Sequence, residues 1–414
     1  MLAVLALLLA LAAAAAAPAT AGGHAVQFEL VVAPTHGAVV SDGAAAGTRT
    51  VSAALSSVHA AASAAEALQA EHEGAEVTIR LLPGVHTLTG RPLIPGHRQR
   101  WIGELGPGGE PSVVSGGAAV TGWRPLPASD DGSHARQNLT RWVAQLPPGA
   151  RAKTLRVGKV RAPQITWPST QRPAAHQYLY ARTVAKANAS ADGSPQVNVG
   201  IDIRTLPVGW SKWTDLVAYT YPGDSWVGMR VNAVPNPRPD PEGEARFTLT
   251  CPDGFAKLVA GNRISFAGPP GLLGVPGANG VWAEDSAAGE VHYLSEQVPE
   301  DVWVPIQSRL VTIENRSSVS FDSVTFVDVD FNASGVQTGF NRVPADKGCP
   351  HDAAVAVSNS QNVTVQRCNF TSVAGGGVLV GNRSTQVVVS DSRFTQIGQS
   401  GVMFVGASPS GCPH

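Results

Sequence analysis

Residues 363–406 carry one pattern twice, and that repeat limits the chain to very few folds. NVTVQRCNF (362–370) is followed by AGGGVLVG (374–381), and QVVVSDSRF (386–394) is followed by QSGVMFVG (399–406). Val363 aligns with Val387 and Phe370 with Phe394, an offset of 387 − 363 = 24 residues. Each copy holds a short alternating strand, a polar turn, an aromatic, and a second strand reached through glycine. Self-similarity at a period of roughly 20–50 residues marks stacked repeats. Strands this short exclude helical repeats, so the natural unit is one circuit of a parallel β-helix.

Earlier circuits are visible upstream. LVTIE (310–314) reads as a strand, VSFDSVTF (319–326) has the form of 363–370, and AAVAVSN (353–359) aligns with GGVLVGN (376–382) at an offset of 23. Stacking turns alternate side chains inward. Val363, Val365, Val378, Val380, Val387 and Val389 are therefore the expected core. One circuit is enlarged by a loop over residues 327–352. Nothing recognisable caps the last strand, so further circuits beyond residue 414 are expected, because an open stack needs a cap.

A chain of 414 residues exceeds the roughly 250–300 at which one compact core stops growing. A solenoid escapes that limit, since each circuit touches only its neighbours. Charged residues make up 15 %, and the 44 glycines and 31 prolines suit a turn-rich β protein. The formal net charge of −1 supplies no patch for a polyanion, which argues against nucleic acid as a partner.

Residues 1–17 are almost all Leu, Ala and Val, and Ala19-Thr20-Ala21 is a small-residue cleavage pattern. This reads as a secretory signal peptide over residues 1–21, although a basic n-region is missing. A membrane anchor is the competing reading; the run is short for a span, and no later run is long enough. Asn-x-Ser/Thr sequons begin at Asn138, Asn188, Asn315, Asn332, Asn362, Asn369 and Asn382, the expected glycan sites of an exported protein. Localisation is thus expected to be extracellular or in a cell wall, with no membrane contact after cleavage. The cysteines Cys251, Cys349, Cys368 and Cys412 allow two disulfides in three connectivities, or buried thiols. Cys349-Pro350-His351 and Cys412-Pro413-His414 repeat a tripeptide, but no C-x-x-C or H-x₃₋₅-H spacing supports zinc. No metal or other cofactor is expected.

After a strand at 26–32, Leu55, Val58, Ala62, Ala65 and Leu68 recur at helical spacing. The spacing predicts a helix over 51–71, capped by Thr50 or Ser52 and ended at Gly74. Such a helix would cover the apolar end of a stack and block its strand edges. EVTIRLL (76–82) and PGVHTL (83–88) follow.

The run IRLLPGVH (79–86), after strand and helix, resembles the N-terminal cap of pectate-lyase-like right-handed β-helix proteins. SVVSGGAAVTGW (112–123) is similar to the "sGG..itgW" signature of secreted β-helix glycoside hydrolases of the fucosidase and xylanase type. LRVGKVRAP (155–163), DLVAY (215–219), WVGMRV (226–231), NRISF (262–266), GVWA (280–283) and VHYL (291–294) follow in that group's order. NGVW (279–282) departs from it, standing where a glutamate-containing GEW is usual. The resemblance implies an all-β, right-handed parallel β-helix with an N-terminal capping helix and a β-rich insertion. The expected organisation is a signal peptide at 1–21, cap and first circuits at 22–123, an inserted β domain at 124–308, and repeats at 309–414.

The expected activity is that of a secreted glycoside-hydrolase-like protein on extracellular polysaccharide. Glycosidases need two carboxylates, about 5 Å apart for retention and about 6.5–9.5 Å apart for inversion. The enlarged loop brings Asp328, Asp330, Lys347, His351 and Asp352 together in sequence, and Asp391 lies one circuit later. Asp330 with Asp352 is the candidate pair. Asp328 shares a face with Asp330 if their strand continues, since i and i+2 point the same way. Asp328 and His351 complete the candidates. A polysaccharide lyase would instead need a basic proton acceptor and commonly calcium ligands, roles open to Lys347 and the same aspartates. A non-catalytic glycan-binding or structural β-helix is the other alternative, with each aspartate a turn former. Trp142, Trp210, Trp213 and Trp226 are either sugar-stacking surfaces or core.

Overall fold

A computed structural model describes residues 27–34, 49–50, 55–126, 139–169, 178–191, 193–207, 209–221, 229–236, 243–250, 258–274, 279–331, 352–381 and 383–405. The expected signal peptide, Cys251, Cys349, Cys412, Trp226, Lys347, His351, Asn138, Asn332 and Asn382 lie outside them. The chain divides into two units. The first is drawn from residues 1–117, 307–329 and 351–414, the second from 118–306 and 330–350.

The first unit consists of three parallel sheets visited in a fixed order. The first sheet runs Arg49–Thr50, Gln27–Val32, Glu76–Leu81, Gln99–Gly103, Ser317–Asp322, Gln361–Gln366, Thr385–Ser390. The second runs Gly84–Thr87, Ser112–Ser115, Thr325–Val329, Asn369–Val373, Arg393–Ile397. The third runs Val311–Glu314, Ala353–Ser358, Gly376–Gly381, Val402–Val405. From Glu76 the chain passes from first to second to third sheet and back, with Leu93 bridging Val311 in the third sheet's place. Both departures from this unit, after Gly117 and after Val329, occur between a second-sheet and a third-sheet strand.

The register pairs like with like. Val363 sits opposite Val387, Phe370 opposite Phe394 and Ala353 opposite Gly376, as the offsets in the sequence require. Inward residues therefore stack by type. Phe326 lies 5.0 Å from Phe370, and Phe370 lies 4.8 Å from Phe394, with planes 20° and 8° apart. Val363, Val365, Val378 and Val380 are buried; Val387 and Val389, in the last described circuit, are only partly so.

The corners repeat as well. Asn315, Asn359 and Arg383 have positive φ, as do Ser318, Asn362 and Gln386, then Ser323, Arg367 and Asp391, then Asp328, Ser372 and Gln396. Each set occupies the same place in successive circuits. A left-handed residue re-aims the chain where a strand would otherwise run straight on, and Asn, Asp and polar residues tolerate it best. Asp391, exposed and at φ 51°, is one of these corners.

An α-helix, Val58–Glu71, packs Val58, Ala61, Ala65 and Leu68 into the same core as Phe28, Leu30, Val77 and Ile79. It begins later than the spacing predicts. Leu55 is tied to Val31 and Ala33 by two main-chain hydrogen bonds, 2.8 and 3.0 Å, so the backbone there is strand-like. Ser57, not Thr50 or Ser52, is the cap, its hydroxyl accepting from Ala60 N at 3.1 Å. His72, not Gly74, ends the helix. Among the described residues no helix is long and apolar enough to cross a membrane.

The second unit holds mainly antiparallel sheets. The largest has eight strands, with Arg263–Ala267 and Val217–Tyr221 side by side toward one edge. Ile264, Phe266, Ala218, Leu179 and Val231 make the buried face of this sheet. Trp210 and Trp213 belong to that core, 7 % and 6 % exposed, and are not stacking surfaces. Trp142 is half-buried in a separate four-stranded sheet.

Candidate functional site

The three candidate aspartates have different surroundings. Asp328, in the first unit, is fully buried, and the Ser115 hydroxyl donates to its Oδ2 at 2.8 Å. Its φ of 56° marks the corner position, where the period-two alternation breaks. The strand stops at Val329, so the condition for Asp328 and Asp330 to share a strand face is not met. Asp352, also in the first unit, is 7 % exposed and precedes Ala353–Ser358. Its carbonyl accepts from Gly376 N at 2.7 Å. A Cβ at Gly375 would collide with that carbonyl, so glycine is required there.

Asp330 belongs to the second unit. Lys153 Nζ donates to its Oδ2 at 2.9 Å and to the Phe331 carbonyl at 2.7 Å. Burial raises the Asp330 pKa above the ordinary carboxylate value, against the opposing pull of Lys153 and Arg230. Burial penalises the charged form, and here it outweighs two cations. Oδ1 is buried and has no hydrogen-bond partner among the described residues. Lys153 and the Arg230 guanidinium each lie 5.5 Å from the centre of the Phe331 ring, a geometry favourable to cation–π attraction. The result is a carboxyl whose pKa lies above its ordinary value, with one buried oxygen unpaired among the described residues. A group of this kind can give or take a proton.

Other sequence candidates are placed individually. Asn188, Asn315 and Asn362 are exposed, and Asn362 Nδ2 donates to Ser318 Oγ at 3.1 Å. Asn369 is half-buried in its strand, with Oδ1 buried and unpartnered among the described residues. Cys368 is a buried free thiol.

Two features escaped the reading of the sequence. The first is Asp322, buried where the first sheet turns into the second. Burial works to raise its pKa, but Gln366 Nε2 at 2.9 Å, Ser323 Oγ at 2.9 Å and the Arg367 guanidinium outweigh that and lower it. It is a structural anion. The second is the outward face of the eight-stranded sheet. Arg263 stands opposite Tyr180 on one neighbouring strand and Tyr221 on the other. Two residues along, Ser265 stands opposite Tyr219, and Tyr219 opposite Arg230. The Arg263 guanidinium lies 4.9 Å from the ring centres of both Tyr178 and Tyr221. Four of the chain's five tyrosines are gathered here. The signal was present as two Tyr-x-Tyr pairs, 178/180 and 219/221, whose spacing of two puts each pair on one strand face.

No protein-family model matches the chain, and no curated protein matches it. Among solved structures it is similar to one described as a glycoside hydrolase. The TM-score is 0.56 at 15 % identity, over 90 % of this chain and 74 % of that one. At that identity the likeness is one of fold. The tailspike of Pseudomonas phage phi297 aligns over 84 % of this chain and 41 % of its own, at 12 % identity and a TM-score of 0.20.

Proposed function

We propose that the chain is an extracellular, glycoside-hydrolase-like protein acting on polysaccharide, built on a right-handed parallel β-helix with an inserted antiparallel domain. The cyclic visit to three in-register parallel sheets supports the architecture, and the solved glycoside hydrolase of similar fold agrees with it. The apolar N-terminus and the sequons support export. The observation that carries the chemistry is Asp330: buried, pKa raised, one oxygen unpaired among the described residues, and held in place by Lys153. Glycosidic cleavage needs a carboxyl still protonated at working pH to protonate the leaving oxygen. Lys153 positions Asp330, and its charge keeps the pKa from rising further.

The test is turnover. Purified protein is incubated with a panel of polysaccharides and the products are analysed. Once a substrate is found, Asp330→Asn should lower kcat by at least 100-fold, the lower range for general acid catalysis, with the fold intact by circular dichroism. Asp352→Asn in parallel tests the second carboxylate named from sequence. Full turnover in Asp330→Asn would refute the assignment.

The Lys153 ion pair also favours a second reading, a non-catalytic glycan binder in which Asp330 and Lys153 are structural. That reading predicts binding without product, and binding that survives Asp330→Asn.

A further inference from the structure

We propose that the outward face of the antiparallel sheet bearing Tyr178, Tyr180, Tyr221 and Arg263 is a binding subsite for an anionic saccharide, one carrying a carboxylate or a sulfate ester. Its location is the second unit, on the sheet face whose next row carries Arg230, and its components come from three neighbouring strands. The register puts Tyr180, Arg263 and Tyr221 in one row across the sheet, on the face opposite the buried Leu179, Ile264 and Phe266.

The chemistry of this row selects an anion. Among the described residues, no carboxylate pairs with Arg263; its recorded neighbours are aromatic rings. Tyr178 and Tyr221 are 5.4 Å apart and edge-on at 85°, and they lie against the guanidinium together. Neither ring takes up its N–H groups as a carboxylate would, so the guanidinium keeps donors for an oxyanion, which it can bind with two parallel hydrogen bonds. Burial, with help from the Tyr178 hydrogen bond, raises the Tyr221 pKa, so the ring beside Arg263 carries no negative charge to compete for the guanidinium. Arg230 follows on the same face in the next row.

A saccharide fits better than other anions. Tyr180 is 54 % exposed beside Arg263, an open ring on which the C–H face of a pyranose can lie. A nucleic acid would need a longer run of cations than Arg263 and Arg230 supply on this face.

This subsite rests on the glycan-acting function proposed above and adds the chemical class of the sugar. Binding, not turnover, is the measured quantity, so loss of activity in Asp330→Asn would leave the result untouched. Full-length protein is titrated calorimetrically with three probes: a uronic acid hexasaccharide, a sulfated hexasaccharide of similar length, and a neutral xylohexaose. Wild type should bind one or both acidic probes, with affinity falling as salt rises, and should bind xylohexaose at least tenfold more weakly. Which acidic probe binds distinguishes carboxylate from sulfate. Arg263→Gln should weaken binding roughly ten- to hundredfold, the range for losing a hydrogen bond to a charged group. Tyr180→Ala, an exposed position that should not disturb folding, should weaken it severalfold. Equal affinity for xylohexaose, no affinity for either acidic probe, or unchanged binding in both variants would each overturn the proposal.

Discussion

Replacing Phe370 by alanine should be among the most damaging single changes in the parallel stack. Its ring is fully buried between Phe326 at 5.0 Å and Phe394 at 4.8 Å, both nearly parallel to it. Truncating a buried phenylalanine costs about 3–5 kcal/mol, from lost transfer free energy plus the cavity left behind. Each neighbouring ring loses a stacking partner, an effect of about 0.5–1.5 kcal/mol that overlaps with that figure and does not add to it in full. Collapse of the site is limited, because the same column is filled one circuit above and one below by rings held in register. At roughly 2–4 °C per kcal/mol for a unit of about 200 residues, the melting temperature should fall by roughly 6–20 °C. Phe394→Ala supplies the internal control. Phe394 is only half-buried, in the last described circuit, so its loss should cost about half as much. Thermal and urea unfolding, followed by circular dichroism on all three proteins, measure the differences. A Phe370→Ala melting point within 2 °C of wild type, or a larger loss at Phe394 than at Phe370, would refute the stacked-column account.

Two further outcomes follow from buried titratable groups. Burial drives the Cys368 thiol up to about 12, with its sulfur against the carbonyls of Phe321 and Gln366; peptide mapping after alkylation at pH 8 should find Cys368 unlabelled in native protein and labelled in urea, and native labelling would show the first-to-second-sheet corner to be open there. His292 is pushed down to about 4 by burial and then by the Arg141 charge, and its Nδ1 accepts from Arg141 Nε at 3.2 Å. Its folded pKa lies below the unfolded 6.5, so the folded state binds fewer protons between the two values. The stability contribution is complete above pH 6.5 and is lost as pH falls toward 4, by about 3 kcal/mol at most. Urea unfolding across pH 4–7 should show that slope, flattened in His292→Asn; an imidazole titrating near 6.5 by NMR would contradict it.

Within the parallel unit, much was legible because stacking in register copies sequence into space. An offset of 24 between Val363 and Val387 becomes a direct pairing, and the Phe370 column follows from the same alignment. The helix boundary was misread because Leu55 satisfies the helical period and yet is held in a bridge to the first strand. Local spacing cannot detect that competition. Trp210 and Trp213 were ambiguous for a similar reason: an isolated tryptophan looks the same in a core and on a surface.

The chain's own pattern of alternating residues, glycine turns and 24-residue spacing determined a set of short parallel strands with its inward positions, since every neighbour along the stack repeats the same local choice. Tertiary structure alone decided the chemistry. Asp330 meets Lys153 across 177 residues with no periodicity to announce it, and its raised pKa is a consequence of burial that no single residue encodes. Arg263 meets Tyr178 and Tyr221 because three strands distant in sequence pair in one antiparallel sheet. Repetition makes a fold readable from its sequence, whereas a site assembled from non-repeating segments exists only once those segments have packed.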